Sequence, residues 1–203
     1  ILICKKRITD VSQDADICGW ARQSEIEHRY HDEEWGLLRT DDRTLFEFMV
    51  LESAQAGLSW RTVLNKREGY RHHYRNFEPE LVVQFGDKEI EAMLADPGVI
   101  RNRAKIEASI NNAQCFLAIS AEFDGFANYL WSFMNSNVIV NRPKTLADIP
   151  AETDLSKHIA KDLKRRGIRF FGSTIVYAYL QATGFVNDHL ETCPAYQRCI
   201  KHL

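Results

Sequence analysis

The chain has 203 residues, 45% of them hydrophobic and 27% charged, enough for one substantial core or two small lobes sharing one, and too little for two full domains. No stretch approaches the roughly eighteen consecutive apolar residues of a membrane span, and five widely spaced cysteines, an odd number, argue against a disulfide framework while leaving room for a metal. A net charge of −2 does not by itself point to nucleic acid. Its distribution is nonetheless uneven: acids crowd residues 10–34, and bases crowd 61–75, 101–105 and 161–169.

Residues 1–17 lack periodicity and read as a loose N-terminal extension, followed by a single helical domain over 18–203. The short apolar start precedes its charges, the reverse of a secretory signal, so a cytoplasmic protein is expected. Ser24 can open a short helix that Gly36 breaks. Thr40 or Asp41 can cap the next. In that helix Leu45, Phe48, Met49, Glu52 and Ala56 fall at offsets 0, 3, 4, 7 and 11, one helical face, with Gly57 as a left-handed stop. A further helix is expected over 60–67, then a loop at 76–79 with Pro79 suited to a first helical turn. Residues 87–95 read as a short helix closed by Asp96-Pro97-Gly98. A longer helix begins near Asn102, with Ile106, Ile110, Ala113 and Leu117 on one face. Helices are also expected over 126–134, over 156–166 up to Gly167, and from Ser173 or Thr174 as cap to Gly184. Residues 138–140 are the best strand candidate in an otherwise all-α chain.

Three groups of residues carry chemistry. Glu52 stands where a hydrophobe should, and an ionised carboxylate buried without partners is costly, so it is either paired structurally or kept for a ligand. Trp20, Tyr30, Trp35 and Trp60 cluster in the same part of the chain; such rings are ordinary core material, but beside a buried acid they could hold a flat cation by stacking. His189 and Cys193, four apart, share one side of a helical turn, and Cys18 with His31 offers a second pair. Together they would form a closed tetrahedral shell for a structural zinc, although the spacing alone equally fits buried core residues. In Asp96-Pro97-Gly98-Val99-Ile100-Arg101-Asn102-Arg103, a glycine turn before a helix start could present backbone N–H groups to phosphate, with Arg101 and Arg103 beside them. A plain helical hairpin reads the same way.

Cys18-Gly19-Trp20, Tyr30-His31-Asp32-Glu33-Glu34-Trp35-Gly36, Leu51-Glu52, Gln55-Ala56-Gly57-Leu58-Ser59-Trp60, Lys164-Arg165-Arg166-Gly167 with Phe170, and Asn187-Asp188-His189 with Cys193 closely resemble the 3-methyladenine DNA glycosylase I family. The likeness runs in unbroken order over about 18–194. It implies a helix-hairpin-helix glycosylase fold, with a structural zinc on Cys18, His31, His189 and Cys193 joining the N- and C-terminal regions. It also implies a base-contacting acid at Glu52, pocket aromatics at Tyr30 and Trp60 with Trp20 and Trp35 nearby, and a DNA-gripping hairpin at 96–103 contacting phosphate through Gly98, Arg101 and Arg103. Ser53-Ala54 departs from the family's usual Gly-Gln next to the acid.

The activity so implied is excision of 3-methyladenine from alkylated double-stranded DNA, with the free base as product, by a monomer needing no membrane. N3 methylation already makes adenine a good leaving group, so strong acid catalysis is unnecessary. Relatives of this fold commonly place an Asp after the hairpin; Asp124 lies near that offset and reads as a loop acid. The rival readings are a non-catalytic zinc-stapled DNA-binding module, against which Glu52 speaks, and a zinc hydrolase, which four soft ligands would close off.

Overall fold

The computed structural model describes residues 17–201. The proposed extension thus lies outside the described residues except Ile17, which is buried in the core. α1 (Glu25–Glu33) is capped by the Ser24 hydroxyl, which accepts from the Glu27 N–H. α2 (Asp42–Gln55) is capped by Asp41, which accepts from the Thr44 N–H at 2.9 Å, and is followed by Gly57 at φ +80°. α2 is buried on nearly every side, from Leu45 to Ala54. Glu52 is the one acid among its fully buried positions.

The helix expected over 60–67 is two, α3 (Trp60–Leu64) and α4 (Arg67–His73). A 3-10 turn at Arg75–Phe77, with Asn76 left-handed, then leads into α5 (Pro79–Val82), where Pro79 occupies the first turn. α6 (Asp87–Ala95), a tight turn and α7 (Arg103–Phe123), capped by Asn102, form a helical hairpin. α8 (Phe126–Trp131) stops short of the expected 134. α9 (Asp154–Arg165) opens on a Thr153–Ser156 capping box and closes at Gly167. α10 (Ser173–Ala182) is preceded by Gly172 rather than capped by Ser173 or Thr174, whose side chains lie inside its first turn.

Two features were not anticipated. β1 (Ile139–Val140), inside the 138–140 run, pairs in parallel with β2 (Val186–Asn187), with 45 residues of chain between the two strands. α11 (Pro194–Lys201) follows Cys193 directly. The fold is otherwise helical: α7 packs on α2, α5 and α8, and α10 on α2 and α9. No helix among the described residues is long and apolar enough to cross a membrane.

Candidate active site and metal cluster

α2 delivers Glu52 into a cavity of about 230 Å³ lined by Trp20, Glu27, Tyr30, Trp35, Glu52, Gln55, Trp60, Ala178 and Gln181. That volume lies below the ~300–1,000 Å³ of drug-sized pockets and suits a single heterocycle. Glu52 is 3% exposed and its Oε2 has no hydrogen-bond partner in the protein. Burial pushes its carboxyl up to about 8. The structural alternative, a carboxylate tied at both oxygens by neighbouring donors, is therefore not what this side chain does. The indole Nε1 of Trp60 is likewise buried and unpartnered. One acceptor and one donor, both orphaned, thus belong to side chains lining the same small cavity.

Aromatic rings form the walls. Tyr30 and Trp60 lie 5.4 Å apart between centroids, in direct contact, so a flat ligand stacks against the pair rather than between its members. Trp20 packs edge-on against Trp35 at 5.1 Å. Arg67, over the face of Phe48 at 5.6 Å, bonds Glu34 and Glu47 and so ties α4 to α1 and α2 behind the pocket. Glu27 on the rim is engaged by Ser24 and by Arg61 at 2.9 Å.

Glu27, Gln55, Ala178 and Gln181 were not singled out from sequence. Glu27 is one turn from Tyr30 and Gln55 one turn from Glu52, so helical spacing could have found both. Ala178 and Gln181 needed the knowledge that α10 crosses α2.

On the far side of the tryptophans, Cys18, His31, His189 and Cys193 converge, all four buried, with their ligand atoms within 4.8 Å of one another. Cys193 Sγ lies 3.4 Å from His31 Nε2 and 3.8 Å from His189 Nδ1, and Cys18 Sγ lies 3.6 Å from His189 Nδ1. Ligand atoms of a tetrahedral Cys₂His₂ zinc site, with the usual bond lengths, stand about 3.3–3.8 Å apart. The outer nitrogens are also held: His31 Nδ1 by Asp32 at 2.7 Å, and His189 Nε2 by the Trp35 carbonyl at 3.1 Å. Such outer partners fix which nitrogen faces a metal. The two thiols share one site: hydrogen bonds from Cys18 and both imidazoles lower Cys193, while the bond to Cys193 and burial raise Cys18, so one thiolate is favoured over two when no cation is present. The group fits a metal ion.

The cluster and the cavity share walls. Trp35 stacks edge-on to His189 at 4.5 Å and Trp20 to His31 at 5.4 Å, while both indoles line the cavity. Asp188, next to His189, accepts from Gln181 at 2.6 Å and from Asn141 at 2.7 Å.

At the hairpin, Val99 is buried and Arg101 and Arg103 are exposed. The Gly98 N–H donates to Asp96 Oδ1 at 2.6 Å, so a phosphate contact at Gly98 requires that bond to exchange. Arg103 is paired with Glu91 and lies 3.6 Å from Glu107, whereas Arg101 has no ion pair among the described residues. Asp124 is the left-handed cap at the other end of α7, about 30 Å from the hairpin, as a loop acid should be.

The comparisons agree with this geometry. The family model described as methyladenine glycosylase matches residues 20–196. The DNA-3-methyladenine glycosylase 1 of Escherichia coli is 44% identical over 179 residues, covering 88% of this chain and 96% of that protein. The DNA-3-methyladenine glycosylase of Haemophilus influenzae is 43% identical over 177 residues, covering 87% and 96%. A solved Staphylococcus aureus 3-methyladenine DNA glycosylase I, determined for the structural basis of 3-methyladenine recognition, superposes with a TM-score of 0.85 at 34% identity over 88% of this chain and 95% of that one. With the matched region enclosing the aromatic cavity and Glu52, the chain belongs to the methyladenine glycosylase family.

Proposed function

We propose that this protein excises 3-methyladenine from alkylated double-stranded DNA by hydrolysing the N-glycosidic bond. The observation that carries the reading is Glu52: a buried carboxyl with an unpartnered oxygen, in a base-sized cavity walled by Tyr30 and Trp60. The names of the relatives supply the base.

The reacting nucleotide leaves the stack, and its cationic base enters the cavity. Glu52, protonated at neutral pH in the empty site, loses its proton as the cation arrives, because an opposite charge favours the ionised form. The carboxylate and the π faces of Tyr30 and Trp60 then fix the base, with Trp20 and Trp35 as the supporting wall. When the C1′–N9 bond breaks, its electron pair neutralises the base and positive charge moves to the sugar. Water adds to C1′ and its proton goes to solvent. Free 3-methyladenine leaves.

Cys18, His31, His189 and Cys193 would hold zinc, whose closed shell leaves no position for water, so it would staple the chain ends and back the tryptophan wall. The hairpin at 96–103, read as a helix-hairpin-helix element, would engage phosphate through Arg101, Arg103 and the backbone near Gly98; exposed ion pairs such as those of Arg103 are weak enough to be exchanged for phosphate. Residues 18–203 are read as one domain, acting as a monomer. The four cysteines among the described residues are all free, which fits a reducing compartment such as the cytoplasm.

Chromatography of bases released from N-methylated DNA tests the reading. It predicts free 3-methyladenine well ahead of any 7-methylguanine, and no release of 3-methyladenine by the purified protein contradicts it.

A further inference from the structure

The basic run at 161–169 divides into two sets once α9 is folded. On one face Arg166 pairs with Asp162 at 2.7 Å and Glu122 at 2.6 Å and lies over the rings of Phe123 and Tyr129, while Arg165 also pairs with Asp162. These charges are spent within the fold. On the other face Lys157, Lys161 and Lys164, spaced at one helical turn, line a second cavity of about 720 Å³ with Arg169 and Phe170. Lys157 lies 3.5 Å from carboxylates of Glu152 and Asp154. Lys161, Lys164 and Arg169 are exposed and have no ion pair among the described residues.

Phe170 is 43% exposed and sits at φ +53°, a left-handed conformation costly for a residue with a side chain. The surroundings enforce it. The side chain of buried Asn112 accepts from the Arg169 N–H at 2.8 Å and donates to the Arg169 carbonyl at 2.9 Å, while Asn111 donates to the Gly167 carbonyl at 2.8 Å. Phe171 is turned inward against Tyr179. The loop is thus held so that one aromatic ring stands out among unpaired cations, an arrangement that persists only where neighbours over-determine it.

The groove lies close to the base cavity. Lys105 and Asn112 are seven residues apart on α7, hence on one face and about 10 Å apart along its axis. Lys105 donates to the carbonyls of Ala54 and Ala56, at the end of α2 that carries Gln55 on the cavity wall. Asn112 grips Arg169. The cavity end of α2 and the Phe170 loop are therefore neighbours on the same side of α7, with the hairpin at its N-terminal end.

We propose that Lys161, Lys164 and Arg169 form a second tract for DNA phosphates, separate from the hairpin, and that Phe170 packs on an exposed base or sugar of the strand beside the extruded nucleotide. The proposal rests on the glycosylase reading for its partner. Hairpin and groove would hold the strand at two points, leaving the segment over the cavity free to bend open.

The test is the salt dependence of binding to an undamaged duplex, which does not require excision. In a Lys161→Ala, Lys164→Ala, Arg169→Ala triple variant the slope of log affinity against log salt should fall by about 2–3 units, at roughly 0.9 per lost contact. Free 3-methyladenine affinity and melting temperature should be unchanged. Phe170→Gly, which suits the left-handed backbone, should weaken binding to a duplex carrying an abasic site, where the strand is already opened, about fivefold or more with the salt slope preserved. An unchanged slope in the triple variant overturns the phosphate tract, and unchanged affinity in Phe170→Gly overturns the aromatic contact. A wild-type protein that binds duplex with the expected slope but releases no 3-methyladenine contradicts the glycosylase reading while leaving the groove intact.

Discussion

Glu52 places a function against a stability. Its carboxyl is raised from 4.5 to about 8 by burial alone, so the folded state holds a proton that the unfolded chain releases. For a group raised in this direction, stability is full below pH 4.5 and declines as pH climbs through about 8, by up to about 1.4 kcal/mol per unit. The melting temperature should therefore fall between pH 5 and pH 8.5, and Glu52→Gln, neutral throughout, should flatten that fall and melt at or above wild type at pH 8. Equal pH profiles for the two proteins would show that Glu52 is not the titrating group. The position was legible in the sequence because a single acid interrupts an apolar stripe. Gln181 was not, since a polar residue on a half-exposed helix face looks like any surface residue until the helix opposite it is known. The hydroxyl of Ser53 is also buried and unpartnered, and the structure offers no account of it.

At the scale of elements, the hairpin depends on a close approach that its own sequence does not reveal. A Cβ built on Gly69 of α4 would stand 2.2 Å from the Gly98 carbonyl oxygen, so α4 and the turn meet backbone to backbone. The Lys66 ammonium donates to the Pro97 carbonyl, and His73 holds Asp96 at 2.7 Å. Gly69→Ala should cost about 1–3 kcal/mol and weaken undamaged-DNA binding, because the turn must move; a thermal melt and a duplex titration of the variant check both, and wild-type values in each would show that the turn yields freely. Capping residues located α1, α2, α7 and the Gly167 end of α9 in the sequence. The break between α3 and α4 was hidden because Asn65 and Lys66 permit helix and turn alike. The β1–β2 pair was hidden because two-residue strands leave no alternation to detect.

Across the whole molecule, Cys18 and His31 come from one end of the chain and His189 and Cys193 from the other, and the indoles they touch are walls of the cavity. Stripping a metal held by these four residues should thus loosen the site as well as the fold. Chelation, or Cys193→Ala, should lower the melting temperature by more than about 5 °C and weaken free 3-methyladenine binding, with about one zinc per chain by elemental analysis; a metal-free protein of unchanged stability would show the four residues to be an ordinary buried cluster. Two ligand pairs at opposite ends of a chain are visible in a sequence, but their meeting is a property of the fold. The most direct measurement is on Glu52→Gln: melting temperature, undamaged-duplex affinity and 3-methyladenine excision from one preparation at pH 7. Glu52 as the base-recognising acid predicts that excision and free-base binding fall sharply while stability and duplex affinity hold. Loss of all of them together would make Glu52 a structural acid and contradict the assignment of the site.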